Sequence, residues 1–141
     1  MMNLKLIIVI VAVIIIVGYF GYPFFSPHIP DVKITSHSST ELTILKQMTG
    51  SIKIIVNNNE NSTINNISVK TEIDKPDTKY LDVITDSIII GELNAHQNSG
   101  DKYVKFKARN STGEGIDFAG KIKVFVGDIM TNELPFSVRV E

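Results

Sequence analysis

The sequence predicts an all-β body, an antiparallel sandwich or barrel of about seven to nine short strands, preceded by one N-terminal transmembrane helix. Three observations predict it. Beyond residue 26 the apolar residues recur with a period of two rather than 3.6, which places them on one face of a strand. Clusters of turn formers interrupt these runs every 8–12 residues or so, the spacing of small sandwiches and barrels. Leu6 to Tyr22 form a continuous apolar run without a charge.

The apolar run comes first in the chain. Leu6, Ile10, Ile14, Val17 and Tyr22 mark its length. As a helix rising about 1.5 Å per residue it spans roughly 25 Å, slightly less than a hydrocarbon core of about 30 Å. Lys5 can snorkel at one end, and Tyr19, Phe20, Tyr22, Phe24 and Phe25 suit the headgroups at the other. Pro23 and Pro27 then end the helix. Val9 to Val17 is rich in β-branched residues, but a lone segment in lipid satisfies its backbone only as a helix. A cleaved signal peptide is the rival reading. Its apolar region is typically about 7–15 residues, followed by a small-x-small site. This run is longer, and Gly18 and Gly21 are three apart. A lipoprotein anchor would need a cysteine, and the chain has none. Lys5 is the only basic residue near the run, so the N-terminus is expected in the cytoplasm and residues from about 26 onward outside. The expected division is an anchor over 1–25, a proline-containing stalk over 26–31 and an extracytoplasmic sandwich over 32–141.

The strands follow in order. Val32 and Ile34 alternate with polar neighbours, and Leu42, Ile44 and Leu45 form a short apolar patch. Whether residues 32–48 belong to the sandwich or form a separate edge is open at this level. Ile52, Ile54 and Val56 alternate and stop at Asn57-Asn58-Asn59. Ile67, Val69, Thr71 and Ile73 alternate next, ending at Asp74-Lys75-Pro76-Asp77. Tyr80, Leu81, Val83 and Ile84 follow, then Ile88, Ile89 and Ile90 before Gly91. Val104, Phe106 and Ala108 alternate with Lys105 and Lys107. Ile122, Val124 and Val126 form the next run, and Phe136, Val138 and Val140 the last. No segment after residue 26 has the pattern of an amphipathic helix of ten residues.

Composition narrows the function classes. All 15 acids and 13 of the 14 Lys/Arg lie after the apolar run, which leaves the outer body at −2. Such a body has no basic footprint for nucleic acid or an anionic surface. The absence of cysteine removes thiolate catalysis, cysteine metal sites and the disulfide of antibody-type domains.

Gly50-Ser-Ile-Lys-Ile-Ile-Val-Asn57, Ile67-Ser-Val-Lys-Thr-Glu-Ile73, Ile90-Gly-Glu-Leu93, Ser99-Gly-Asp-Lys-Tyr-Val-Lys-Phe-Lys107 and Gly120-Lys-Ile-Lys-Val-Phe-Val126 occur in that order. Over residues 50–140 this series resembles the small immunoglobulin-like modules of bacterial and archaeal surface proteins, of the CARDB or S-layer-associated kind. Three asparagines stand where those modules usually have Asn-x-Gly. The resemblance implies a seven-stranded immunoglobulin-like sandwich used for adhesion, spacing or assembly, with no chemistry of its own. In layout alone the chain is also similar to the archaellum stator proteins of archaea, which join an N-terminal membrane helix to a small β-sandwich.

Residues that could carry chemistry are few. Asn61, Asn66 and Asn110 each begin an N-x-S/T sequon in an expected loop or strand end, and on an outward body they are candidates for glycosylation. The alternative is the ordinary role of asparagine in turns. His28, His37 and His96 lack metal-ligand spacing. Asp74, Asp77, Asp82, Asp86 and Asp128 flank turns without forming a calcium loop. No Gly-x-Ser-x-Gly is present, and Gly113-Glu114-Gly115 lacks the third glycine of a dinucleotide loop. Tyr80, Tyr103 and Phe118 are the only residues that could form an aromatic platform for a sugar. Lys102, Lys105, Lys107, Lys121 and Lys123 read as solvent-facing guards of strands.

The expected function is that of a non-enzymatic, single-pass envelope protein with no cofactor and no metal. It would meet lipid through its N-terminal helix and a protein partner through its outer domain, with strand addition at an exposed edge as one mode. A stator or accessory subunit of a surface filament and a carbohydrate- or small-ligand-binding sandwich are the alternatives.

Overall fold

The structure, a computed structural model, describes residues 27–110 and 113–141. The expected membrane helix, with its orientation, lies outside the described residues, as do Ser111 and Thr112 of the third sequon. Among the described residues no helix is long and apolar enough to cross a membrane.

Nine strands account for the architecture: β1 (Val32–His37), β2 (Glu41–Ile44), β3 (Thr49–Asn58), β4 (Ile64–Ile73), β5 (Leu81–Val83), β6 (Ser87–Leu93), β7 (Lys102–Ala108), β8 (Ile116–Val126) and β9 (Ile129–Val140). They form a four-stranded sheet in the order β1-β3-β7-β5 and a five-stranded sheet in the order β2-β9-β8-β4-β6. Residues 32–48 therefore belong to the sandwich, one strand in each sheet. The expectation of an antiparallel sandwich needs one correction, because β2 pairs with β9 in parallel. The chain leaves β1 at the edge of one sheet and continues in the same direction as β2 at the edge of the other. No hairpin reverses it, so β2 runs alongside β9 rather than against it. On the opposite flank β5 and β6 make a second passage between the sheets.

The period-two runs point inward as their pattern requires. Ile52, Ile54 and Val56 of β3 and Val104, Phe106 and Ala108 of β7 face Ile67, Val69, Ile122, Val124, Phe136, Val138 and Val140 of the other sheet. The rings of Phe106 and Phe136 meet across the gap at 5.1 Å between centroids. Burial of each large side chain contributes about 1.5–3 kcal/mol.

The sandwich has two distinct ends. Val32 lies opposite Asn58, so the chain enters at the end that carries the β3–β4 loop, the β6–β7 loop and the Gly127-Asp128 turn. Call this the near end. Its lead-in segment is fastened down. The Glu60 carboxylate accepts the Asp31 N–H at 2.7 Å and lies 2.9 Å from His28 Nε2. Asn59 N–H donates to the Asp31 carbonyl at 2.9 Å. The far end carries residues 45–48, 74–80 and the β7–β8 connection.

Candidate interaction surface: outer face and free edge of the five-stranded sheet

Because Ile67 and Val69 face the core, Ser68, Lys70 and Glu72 of β4 must face outward. Strand register then builds the outer face in rows. The row nearest the near end is Ile89, Ser68, Phe125 and Met130, one residue from each of β6, β4, β8 and β9. The next is Ser87, Lys70, Lys123 and Glu133, followed by Glu72, Lys121 and Pro135. Diagonal ion pairs join the charged rows: Lys123 to Glu72, and Lys121 to Glu133 at 2.9 Å. The hydrogen bond from Lys123 holds the Glu72 carboxyl below its ordinary range, and the bond to Glu133 raises the Lys121 ammonium above its own. These pairs are solvent-exposed and contribute little to stability. From the second row the Lys70 ammonium reaches over the Phe125 ring, 5.1 Å from its centroid, and shields the middle of the first row. The two ends of the first row stay open, with Ile89 85% exposed and Met130 45% exposed.

Ile89 belongs to an edge strand. Sheet edges present unpaired N–H and C=O groups, and proteins guard them with charge, proline, bulges or short length. Three of the four edge strands here are guarded. β1 carries Lys33 and a bulge between Ile34 and Ser36, and its Ile34 N–H donates to Asn132 Oδ1 at 3.0 Å. β2 has four residues and β5 three, with Asp82 of β5 tied to Arg109. Where β9 extends past β2 it carries Pro135, which has no N–H to offer. β6 differs. Over Ser87-Ile88-Ile89 it has no charge, proline or bulge, and its guards come only after that: a bulge at Ile90, where Ser68 pairs with Ile89 but Ile67 with Gly91, then Gly91 with φ of 83° and Glu92. Ile88 and Ile90 turn toward the core, which leaves Ile89 projecting from the outer face.

The other sequence-predicted residues do not converge. Asn61 and Asn66 are exposed at the near end and Asn110 at the far end. Asn61 Oδ1 lies 2.9 Å from His96 Nε2, and Asn110 Nδ2 donates to the Lys79 carbonyl at 2.9 Å. Asn66 adopts φ of 58°, and its carbonyl accepts the Gly127 N–H at 2.9 Å. The aromatic platform does not assemble. Phe118 pairs with Val138 and is buried in the core, because it is in phase with Ile122 and Val124. Tyr80 is half-buried beneath Lys79, and Tyr103 stands exposed on the opposite sheet across from Lys53. His28, His37 and His96 lie against different partners, and among the described residues no three His, Asp or Glu side chains gather. Lys105 and Lys107 face outward from the four-stranded sheet, opposite Ser51 and Thr49, away from Lys121 and Lys123. A shallow hollow of about 410 Å³ at the far end is lined by Gln47, Asp82, Lys107, Arg109 and Asn110, and there Asp82 already takes the arginine.

One structural residue was hidden in the asparagine cluster. Asn58 is fully buried. Its Nδ2 donates to the carbonyls of Ser62 at 2.8 Å and of Leu93 and Asn94 at 3.0 Å, and its Oδ1 accepts the Glu60 N–H at 3.0 Å. It thereby joins the two loops of the near end. The signal was present: position 58 is in phase with Ile52, Ile54 and Val56.

No protein-family profile and no curated protein matches the chain. Solved structures do. The CARDB domain of a Pyrococcus furiosus protein, crystallised in complex with di-metal ions, superposes with a TM-score of 0.51 at 13% identity, covering 83% of this chain and 93% of that one. The solution structure of the same domain gives 0.52 at 12% identity, covering 81% and 97%. Trypsin-activated alpha-2-macroglobulin from Escherichia coli gives 0.54 at 10% identity over 78% of this chain, which spans only 7% of that much longer protein. At such identities the likeness concerns fold alone. The described chain has the fold of a CARDB domain, an immunoglobulin-like β-sandwich of two sheets.

Proposed function

We propose that the chain is a non-enzymatic, single-pass envelope protein. Residues 6–22 hold it in the membrane with the N-terminus cytoplasmic, and its immunoglobulin-like body contacts a protein partner outside. The observation that carries the reading is the unguarded first stretch of the β6 edge, Ser87-Ile88-Ile89, with Ile89 85% exposed. An extended segment of a partner can add to such an edge, taking affinity from main-chain hydrogen bonds and specificity from alternate side chains. The mechanism is positional: the anchor sets the height of the body above the bilayer, and the edge presents a template. The non-enzymatic reading rests on the sequence, which has neither a nucleophile elbow nor a dinucleotide loop. In this reading the exposed asparagines Asn61, Asn66 and Asn110 carry glycans in a glycosylating host, to be read as added mass on the intact chain.

A photo-crosslinking residue placed at Ser87 in intact cells tests the edge, with one at Ile55 on the other sheet as reference. The expected result is one polypeptide captured from position 87, not from 55, and lost when Ile89→Lys is added. Equal capture from both positions, or capture indifferent to Ile89→Lys, would overturn the reading.

A further inference from the structure

We infer that the tip of the β8–β9 hairpin, with Ile29 beside it, is a second and shallow contact with the bilayer. The inference rests on the membrane anchor proposed above. Ile129 is 43% exposed, Met130 45% and Ile29 60%, and all three lie at the near end. Their position is fixed by two bonds. Thr131 Oγ1 donates to the Val32 carbonyl at 2.6 Å, and Gly127 N–H donates to the Asn66 carbonyl at 2.9 Å. The hairpin tip therefore sits beside the point where the chain enters the sandwich.

Reach decides which end of the body meets lipid. Asp31 is held to Glu60, and the apolar run ends at Tyr22. The eight residues between them, nine steps from Cα to Cα, extend at most about 30 Å. β9 alone, at about 3.4 Å per residue, is roughly 40 Å long. The tether is shorter than the body, so the body cannot stand inverted on its far end, and the near end is the one always kept within the tether's reach of the membrane. Ile129 and Met130 then face the headgroup layer, where an apolar side chain leaves water at no cost to the fold. Asp128 at the turn keeps the contact shallow. Asp31, Glu60, Glu92, Asp101 and Asp128 at this end outnumber Lys33, Lys53 and Lys102, so the attraction is apolar and not directed to anionic headgroups.

The chain has no cysteine, so single labels are straightforward. Met130→Cys, Ile129→Cys and, at the far end, Leu45→Cys are each labelled with an environment-sensitive fluorophore in the full chain, reconstituted in phosphatidylcholine vesicles. The expected result at 129 and 130 is blue-shifted emission, quenching by spin-labelled lipid and loss of quenching by aqueous iodide. Position 45 keeps its iodide quenching. Adding anionic lipid weakens the blue shift. Iodide quenching at 129 and 130 equal to that at 45 overturns the inference. So does protection from iodide without lipid quenching, which would point to a second copy of the chain, and so does a blue shift that grows with anionic lipid. A chain that fails to float with the vesicles overturns the anchor itself and this inference with it. One that floats yet leaves 129 and 130 open to iodide overturns this inference alone.

Discussion

Asn58 Nδ2 donates to the Leu93 carbonyl at 3.0 Å, and Asn58 is the only buried polar residue among those described. The bond joins the last residue of β3 to the last residue of β6, in different sheets, at the end where the chain enters. Asn58→Ala would leave the carbonyls of Ser62, Leu93 and Asn94 and the N–H of Glu60 without their partner. A buried polar group left unpaired costs about 1–3 kcal/mol, so a loss of about 3 kcal/mol is expected. Urea unfolding of the detergent-solubilised chain should show a lower midpoint at unchanged slope.

Two glycines should lose stability on replacement by alanine, to unequal degrees. A Cβ at Gly120 would land on the Glu72 carbonyl oxygen and 2.6 Å from Phe136 Cζ, between backbone and a core ring. Gly120→Ala is expected to cost about 3 kcal/mol, at the upper end for overpacking. Gly127 adopts φ of 58° but would place its Cβ in open space. Gly127→Ala should cost about 1 kcal/mol, from backbone strain alone. Comparison of the two thermal midpoints checks the ranking.

The lead-in segment should loosen in acid. The Asp31 N–H bond, aided by His28, holds the Glu60 carboxyl below its ordinary range. A carboxyl whose folded value lies below its unfolded one stabilises the fold above the unfolded value, and that contribution fades as pH falls through the folded value. Exchange of the Asp31 amide should therefore be protected at neutral pH and accelerate beyond its intrinsic trend below the ordinary carboxylate range. Glu60→Gln should flatten that dependence.

Phe106→Ala removes a fully buried ring that touches Phe136 in the facing sheet. A loss of about 3–5 kcal/mol is expected, with Phe106→Leu well below it. Denaturant midpoints measure both.

Much of this architecture was legible in the residue pattern, for a physical reason. Strands buried on one face declare their phase locally, so Ile52-Ile54-Val56, Val104-Phe106-Ala108 and Phe136-Val138-Val140 all point inward as their spacing requires. Phase also held information that went unused. Asn58 continues the inward series of β3, and Phe118 that of β8, so the first was a core tie and the second no exposed platform. Other features leave no local trace. Nothing near Leu42 states that its strand lies parallel to β9, because sheet membership follows from how the chain crosses between layers. Three consecutive isoleucines give no phase at all, so which of Ile88, Ile89 and Ile90 is exposed emerges only from the pairing of Ser68 with Ile89. The start of β9 was obscured by the register shift at Thr131, which breaks the alternation between Met130 and Asn132.

The parallel alignment of β2 and β9 has a mechanical consequence. Val32 lies at one end of the sandwich and Val140 at the other, so a pull between them acts along the strands. The ladder from Glu41–Ser137 to Ile44–Val140 is then strained in shear, with its rungs bearing tension together. A hairpin at this flank would instead peel open rung by rung. A pull applied between Val32 and Val140 meets this domain along its stiff direction.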